Sequence, residues 1–201
     1  MPSQTREWPQ PEGLRELGRT GLYISPIGLG LAALGRPAYI TSGRAHDLGQ
    51  DRSADALRRR THEVLNVAYA TGVHYFDVAR SYGRAEEFLA SWLAERGIRP
   101  GEVIVGSKWG YEYTGGWRMD AEKHEMKDLS TETLRRQLEE TRSLLGEHLS
   151  LYQIHSATLE SGVLEDGGVL EELGRLKETG VAVGLSATGP AKPRRLRGRW
   201  R

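Results

Sequence analysis

Three ionisable side chains close three successive apolar runs: Asp77 ends VHYFD, Lys108 ends VIVGSK and His155 ends LYQIH. If those runs are neighbouring strands, spaced about 4.8 Å apart, their ends bring an acid, an amine and an imidazole within roughly 10 Å of one another. The loop after the first run, Val78-Ala79-Arg80-Ser81-Tyr82-Gly83, adds a phenol. A phenol of ordinary pKa, near 10, is a poor acid at neutral pH. A nearby ammonium favours the ionised form and lowers that value, and a carboxylate beside the ammonium keeps the amine charged. Asp77, Lys108 and Tyr82 therefore fit together as anchor, tuner and proton donor. His155 is suited to hydrogen-bond a substrate oxygen and fix where the proton arrives. Each residue alone has an ordinary explanation, since strand ends often carry charge and a lone histidine is commonly a satisfied polar group. Their order on successive strands is what points to chemistry.

The elements that must hold these residues alternate in period. LRELGRTGLYIS (14–25) reads as a small hairpin about a Gly-Arg-Thr-Gly turn, and PIGLGLAAL (26–34) as a first buried strand. A helix is expected from Ser53 to Ala70, with Leu57, Val64, Leu65 and Ala68 on one face and Gly72 stopping it. Then come strand 73–77, helix 85–96, strand 103–108, helix 131–145 behind the N-cap residue Ser130, strand 149–155, helix 169–179 and strand 181–186. Repeated βα units satisfy two folds, an eight-stranded β/α barrel and an open doubly wound sheet. Chemistry gathered at the carboxyl ends of several strands fits the barrel.

Composition bounds the rest. The 201 residues, 38% apolar and 27% charged, suit one globular domain. The absence of cysteine removes disulfides, thiolate metal sites and cysteine nucleophiles, and fits a reducing compartment. The beginning, MPSQTREWPQPEGLREL, has no apolar core of signal-peptide length, and no run approaches the roughly 20 apolar residues of a membrane span. A cytoplasmic, soluble protein is expected. The net charge of +1 conceals a basic end, AKPRRLRGRWR, with one lysine and five arginines. It is read as a solvated, disordered tail (191–201) rather than a contact for nucleic acid or membrane. The organisation expected is an extension at 1–13, one barrel domain at 14–190, and that tail.

The run Phe76-Asp77-Val78-Ala79-Arg80-Ser81-Tyr82-Gly83 with Glu86, then Ser107-Lys108-Trp109-Gly110, then Tyr152-Gln153-Ile154-His155, resembles the aldo-keto reductase pattern of Asp, Tyr, Lys and His. The resemblance spans about Leu17 to Pro190. It implies a β/α barrel that binds NADP(H), or less often NAD(H), in extended form, with hydride passing to a carbonyl carbon while the tyrosine protonates the oxygen. It further implies that Gly28, Gly30 and Leu31 on the first strand, with Asp77 and Ser186, face the nicotinamide. Ala187 follows Ser186 where the commonest pattern has asparagine, and Ser-Ala-Thr-Gly-Pro is similar to the sugar-dehydrogenase-like branch. The partner implied is a small carbonyl or sugar substrate.

Gly28-Leu29-Gly30-Leu31-Ala32-Ala33 also fits a G-x-G-x-x-A dinucleotide fingerprint, with Asp47 or Asp51 near the distance of a ribose contact. Gly35, Pro37 and Gly43 follow too soon for the helix that fingerprint must open. The segment 110–129 is a long connection of little periodicity, and loops of that kind on barrel tops serve substrates. Trp109 and Tyr111, with Tyr113 and Trp117, are the expected substrate wall. His124, between Glu122 and Glu125, is read as a solvated polar stretch, so no metal is expected. Five barrel strands are used by Ser186, and a full barrel takes about 250 residues. A chain stopping after five of eight strands is therefore expected, short of the loops where the family holds the adenosine phosphate and pyrophosphate. Its alternative role is that of a non-catalytic fragment acting through an exposed edge and a basic tail.

Overall fold

The computed structural model describes residues 13–38 and 51–187. Local sequence sets its helix boundaries. Ser53 caps α1 (Ala54–Ala70) by accepting from the Ala56 N–H, and Ser130 caps α3 (Thr131–Leu145) by accepting from Thr133. Asp166 does the same for α4 (Gly167–Glu178) through Val169. Helix α2 (Ala85–Arg96) ends where Gly97 takes the left-handed conformation, φ 63°.

Arg15–Glu16 (β1) and Tyr23–Ile24 (β2) form the expected antiparallel hairpin. Five strands make one parallel sheet: β3 (Leu29–Gly30), β4 (Tyr75–Asp77), β5 (Ile104–Trp109), β8 (Leu149–Ala157) and β9 (Ala182–Ala187), paired in chain order. A doubly wound sheet reverses its strand order at a switch point, and this one does not. It is the arc of a β/α barrel, five units of eight.

The first strand is much shorter than the run 26–34 suggests. The N–H groups of Leu34 and Gly35 turn back onto the Leu31 carbonyl at 3.0 and 3.3 Å, which takes that backbone out of the sheet. No α-helix follows this segment among the described residues before Ala54, so the dinucleotide fingerprint lacks its helix. Asp47 lies outside the described residues, as do the expected basic tail and most of the N-terminal extension. The connection 110–129 is more ordered than its lack of periodicity suggests, since Tyr111–Tyr113 (β6) pairs antiparallel with Glu125–Lys127 (β7).

The core lies between sheet and helices. Phe76, Val105, Tyr152 and Ile154 pack against Leu65, Leu89, Trp92, Leu134 and Leu173. The Trp92 indole N–H is satisfied by Asn66 Oδ1 at 2.9 Å. All six residues of β5, the middle strand of the five, are buried. No helix among the described residues is long and apolar enough to cross a membrane.

Candidate active site

Strand register decides which residues meet. Gly30 pairs with Asp77 and Asp77 with Gly106. Lys108 stands two residues beyond Gly106 and pairs with Gln153, and His155 stands two beyond Gln153. Gln153 pairs with Gly184, two before Ser186. Side chains alternate along a strand, so Gly30, Asp77, Lys108, His155 and Ser186 share one face of the sheet, at its carboxyl edge. They come from five successive strands, and the chain-order pairing brings them together.

Lys108 is 6% exposed. Its ammonium donates to Asp77 Oδ1, to the Val78 carbonyl at 2.9 Å and to the Tyr82 hydroxyl at 3.4 Å. Burial pulls the lysine pKa below its ordinary value, while Asp77 beside it works in the opposite direction. The ammonium also lies 4.8 Å from the centre of the Tyr82 ring. Tyr82 meets His155 edge to face at 5.6 Å, and Tyr111 on β6 meets His155 edge to face at 4.9 Å. His155 is driven down to about 4, first by burial and then by the cations Lys108, Lys127 and Arg36. It is therefore neutral at physiological pH, with Nδ1 3.5 Å from the Ser81 hydroxyl.

The loop that carries Tyr82 is held at close quarters. A side chain on Gly35 would strike the Tyr82 carbonyl at 2.1 Å, and Gly83, at φ 64°, has the Gly35 carbonyl at 2.5 Å from where its own Cβ would lie. Arg84 N–H bonds that same carbonyl at 2.7 Å. Arg36, 2% exposed, donates to the Ser81 carbonyl at 3.2 Å and pairs with Glu125 of β7 at 3.1 Å, which ties the β6–β7 hairpin to the loop.

Other expected positions fall differently. Trp109 is fully buried in the core on the helix side of β5 and forms no substrate wall. It follows Lys108 directly in a strand, so the two cannot face the same way. Trp117 donates from Nε1 to the Arg52 carbonyl at 3.0 Å and packs on Phe88 of α2. Tyr113 accepts the Trp117 N–H at 3.2 Å. Leu31 is buried on the helix side, where its N–H reaches the Asp77 carbonyl at 2.8 Å. Gly28 makes room for the Tyr75 ring, 2.5 Å from where its Cβ would lie. Ser186 accepts the Ser156 N–H at 2.8 Å and so fixes the residue next to His155, whose φ is +55°.

Sequence reasoning passed over Tyr75. It fills the sheet face beneath the site and donates to Asp77 Oδ2 at 3.4 Å, and burial followed by the Asp77 charge raises its pKa so that it stays a donor. The signal lay in parity, since Tyr75 stands two residues before Asp77 between the side-chain-free Gly28 and Gly106.

A model of the aldo/keto reductase family matches residues 26–196. An uncharacterised oxidoreductase of Bacillus subtilis (strain 168) is 27% identical over 156 residues, 75% of this chain and 41% of its own. Pyridoxal 4-dehydrogenase of Microbacterium luteolum is 37% identical over 98 residues, 48% of this chain and 23% of its own. A Pseudomonas aeruginosa structure described as that of an aldo-keto reductase superposes with a TM-score of 0.65 at 29% identity, over 88% of this chain and 60% of its own. The chain thus spans less than two thirds of the length of each of these relatives.

Proposed function

The chain belongs to the aldo/keto reductase family, and from that premise we propose an NADP(H)-dependent oxidoreductase, with NAD(H) as the lesser alternative, whose substrate is a small aldehyde, ketone or sugar lactol. The observation that carries the reading is the buried Lys108 ammonium held between the Asp77 carboxylate and the Tyr82 phenol.

The nicotinamide would rest on Gly30, Asp77 and Ser186. Two features favour that fit. Gly30 leaves the strand end bare, since a Cβ there would meet only Asp77 Oδ1, at 4.0 Å. The Ser186 hydroxyl accepts from backbone and keeps its own proton for donation to a carboxamide. When bound, the reduced ring supplies a hydride to the carbonyl carbon.

The protein's own residues handle the proton. Tyr82 Oη accepts from Lys108, a bond that does not use the phenol's own proton. That proton passes to the carbonyl oxygen, and the ammonium stabilises the phenolate left behind. Asp77, supported by Tyr75, holds the ammonium in place. His155, neutral above about pH 4, offers a hydrogen bond to the same oxygen without adding charge. Tyr111 supplies the apolar wall beside it. The pyridoxal 4-dehydrogenase relative fits a carbonyl on a small ring as one member of the substrate class.

The test is consumption of NADPH by the 201-residue chain with a panel of small aldehydes and aldoses. Tyr82→Phe is expected to lose about 100-fold or more in kcat. Turnover retained in that variant would remove Tyr82 from the role of acid.

A further inference from the structure

Behind β5, on the side away from Lys108, stands a carboxylate that the proton-transfer scheme does not use. Glu86 is 1% exposed. It accepts from the Ser107 hydroxyl at 2.6 Å, from the Thr141 hydroxyl at 2.9 Å and from the Arg80 guanidinium at 2.5 Å. A charge so buried is costly unless paired and hydrogen-bonded, and here three donors converge on it from three parts of the chain. Arg80 is held in turn by Glu140 on α3, at 2.8 Å.

The donors stand at telling places. Ser107 is the residue before Lys108, and Arg80 lies two before Tyr82. The Arg80 N–H also bonds the Lys108 carbonyl at 3.1 Å. One carboxylate therefore grips the strand that carries the ammonium and the loop that carries the phenol. We propose that Glu86 is a positioning residue for the Tyr82–Lys108 pair: its buried carboxylate clamps the 78–85 loop to the back of β5 and sets the separation of phenol and ammonium. Its charge is also felt by Lys108, whose protonated form it supports together with Asp77. The proposal rests on the functional reading above, but its first readout does not.

That readout is the titration of Lys108 in the full chain, followed by NMR after carbon-13 reductive methylation and assigned with Lys108→Arg. Glu86→Gln keeps the side-chain shape and removes the charge, and is expected to lower the Lys108 midpoint by roughly half a unit to one unit. Glu86→Asp, which restores the charge, should return most of that shift. Where turnover is measured, Glu86→Gln should lose about tenfold in kcat with KM little changed, because the clamp acts on the reacting pair rather than on substrate binding. Arg80→Met/Glu86→Met, which replaces the buried pair by apolar groups, serves as the variant designed to fold, with a smaller downward shift expected because the Arg80 cation leaves with the carboxylate. A Lys108 midpoint unmoved in the folded variants overturns the proposal, and so does failure of both to fold, which would assign the carboxylate to the fold alone. A shifted midpoint in a chain that reduces no carbonyl would uphold the clamp while removing the proposed function.

Discussion

Strands β5 and β9 belong to the same sheet but to different environments. β5 pairs on both edges, with β4 and β8, and every one of its residues is buried. β9 pairs with β8 alone among the described residues, and its residues are half-buried or exposed. Beside the start of β9 runs a groove of about 640 Å³, floored by Leu164, Leu170, Leu173 and Val183 and edged by Arg19 and Lys177. It shares no residue with the candidate site. The proposed proton-transfer groups Asp77, Lys108 and His155 stand on β4, β5 and β8, strands that pair along both edges. Ser186, expected to meet the nicotinamide, stands on the edge strand. The proposed proton-handling half of the site thus rests on strands paired along both edges, and the proposed cofactor-holding half includes a strand that pairs along one edge among the described residues.

The largest stability contrast should come from matched truncations on the two kinds of strand. Val105→Ala, fully buried on β5, should cost about 2–3 kcal/mol, whereas Val183→Ala, half-buried on β9, should cost about 1 kcal/mol, read from urea midpoints. Equal losses would erase the distinction between centre and edge.

A smaller effect should come from acid. His155 is held near 4 in the fold against an ordinary 6.5, so the unfolded chain takes up a proton that the folded chain refuses. Its contribution to stability is whole above about pH 6.5 and is lost as pH falls toward 4. His155→Gln should lose less stability than the wild-type chain between about pH 7 and pH 5. Identical slopes would mean that the imidazole is protonated in place.

The smallest effect concerns the two aromatics first placed together at the substrate. Trp109→Phe should leave KM within about twofold, while Tyr111→Ala, which strips the wall beside His155, should raise it several-fold. A large KM change in the tryptophan variant would return it to the site.

Much of this architecture was legible in the sequence, for physical reasons that can be traced residue by residue. Helices α2 and α3 span the residues that the alternation of periods placed in them, and α3 begins behind Ser130 as expected because a cap is a local interaction. The convergence of Asp77, Lys108 and His155 could be read from strand ends alone, since parallel pairing in chain order brings consecutive ends together. Face parity was equally readable and was not applied to Lys108 and Trp109, which is why the tryptophan was misplaced. The Arg36–Glu125 pair and the Thr141 hydroxyl on Glu86 are different in kind. They join residues far apart in the chain across a buried space, and no local pattern announces them. The β6–β7 hairpin escaped notice because three-residue strands leave almost no periodic signal.

The most direct test of the central claim, that these five strands carry a nicotinamide-dependent carbonyl site, is a thermal melt of the purified chain with and without millimolar NADPH. A ligand that binds only the folded state raises its stability by RT ln(1 + [L]/Kd), about 2.7 kcal/mol when the ligand stands at a hundred times Kd. The account predicts one cooperative transition that moves upward with NADPH and does so equally in Tyr82→Phe, where the proton is lost but the cofactor surface is intact. A transition that NADPH leaves unmoved would contradict it, and would reduce Tyr82, Lys108, Asp77 and His155 to a geometry without a cofactor to serve.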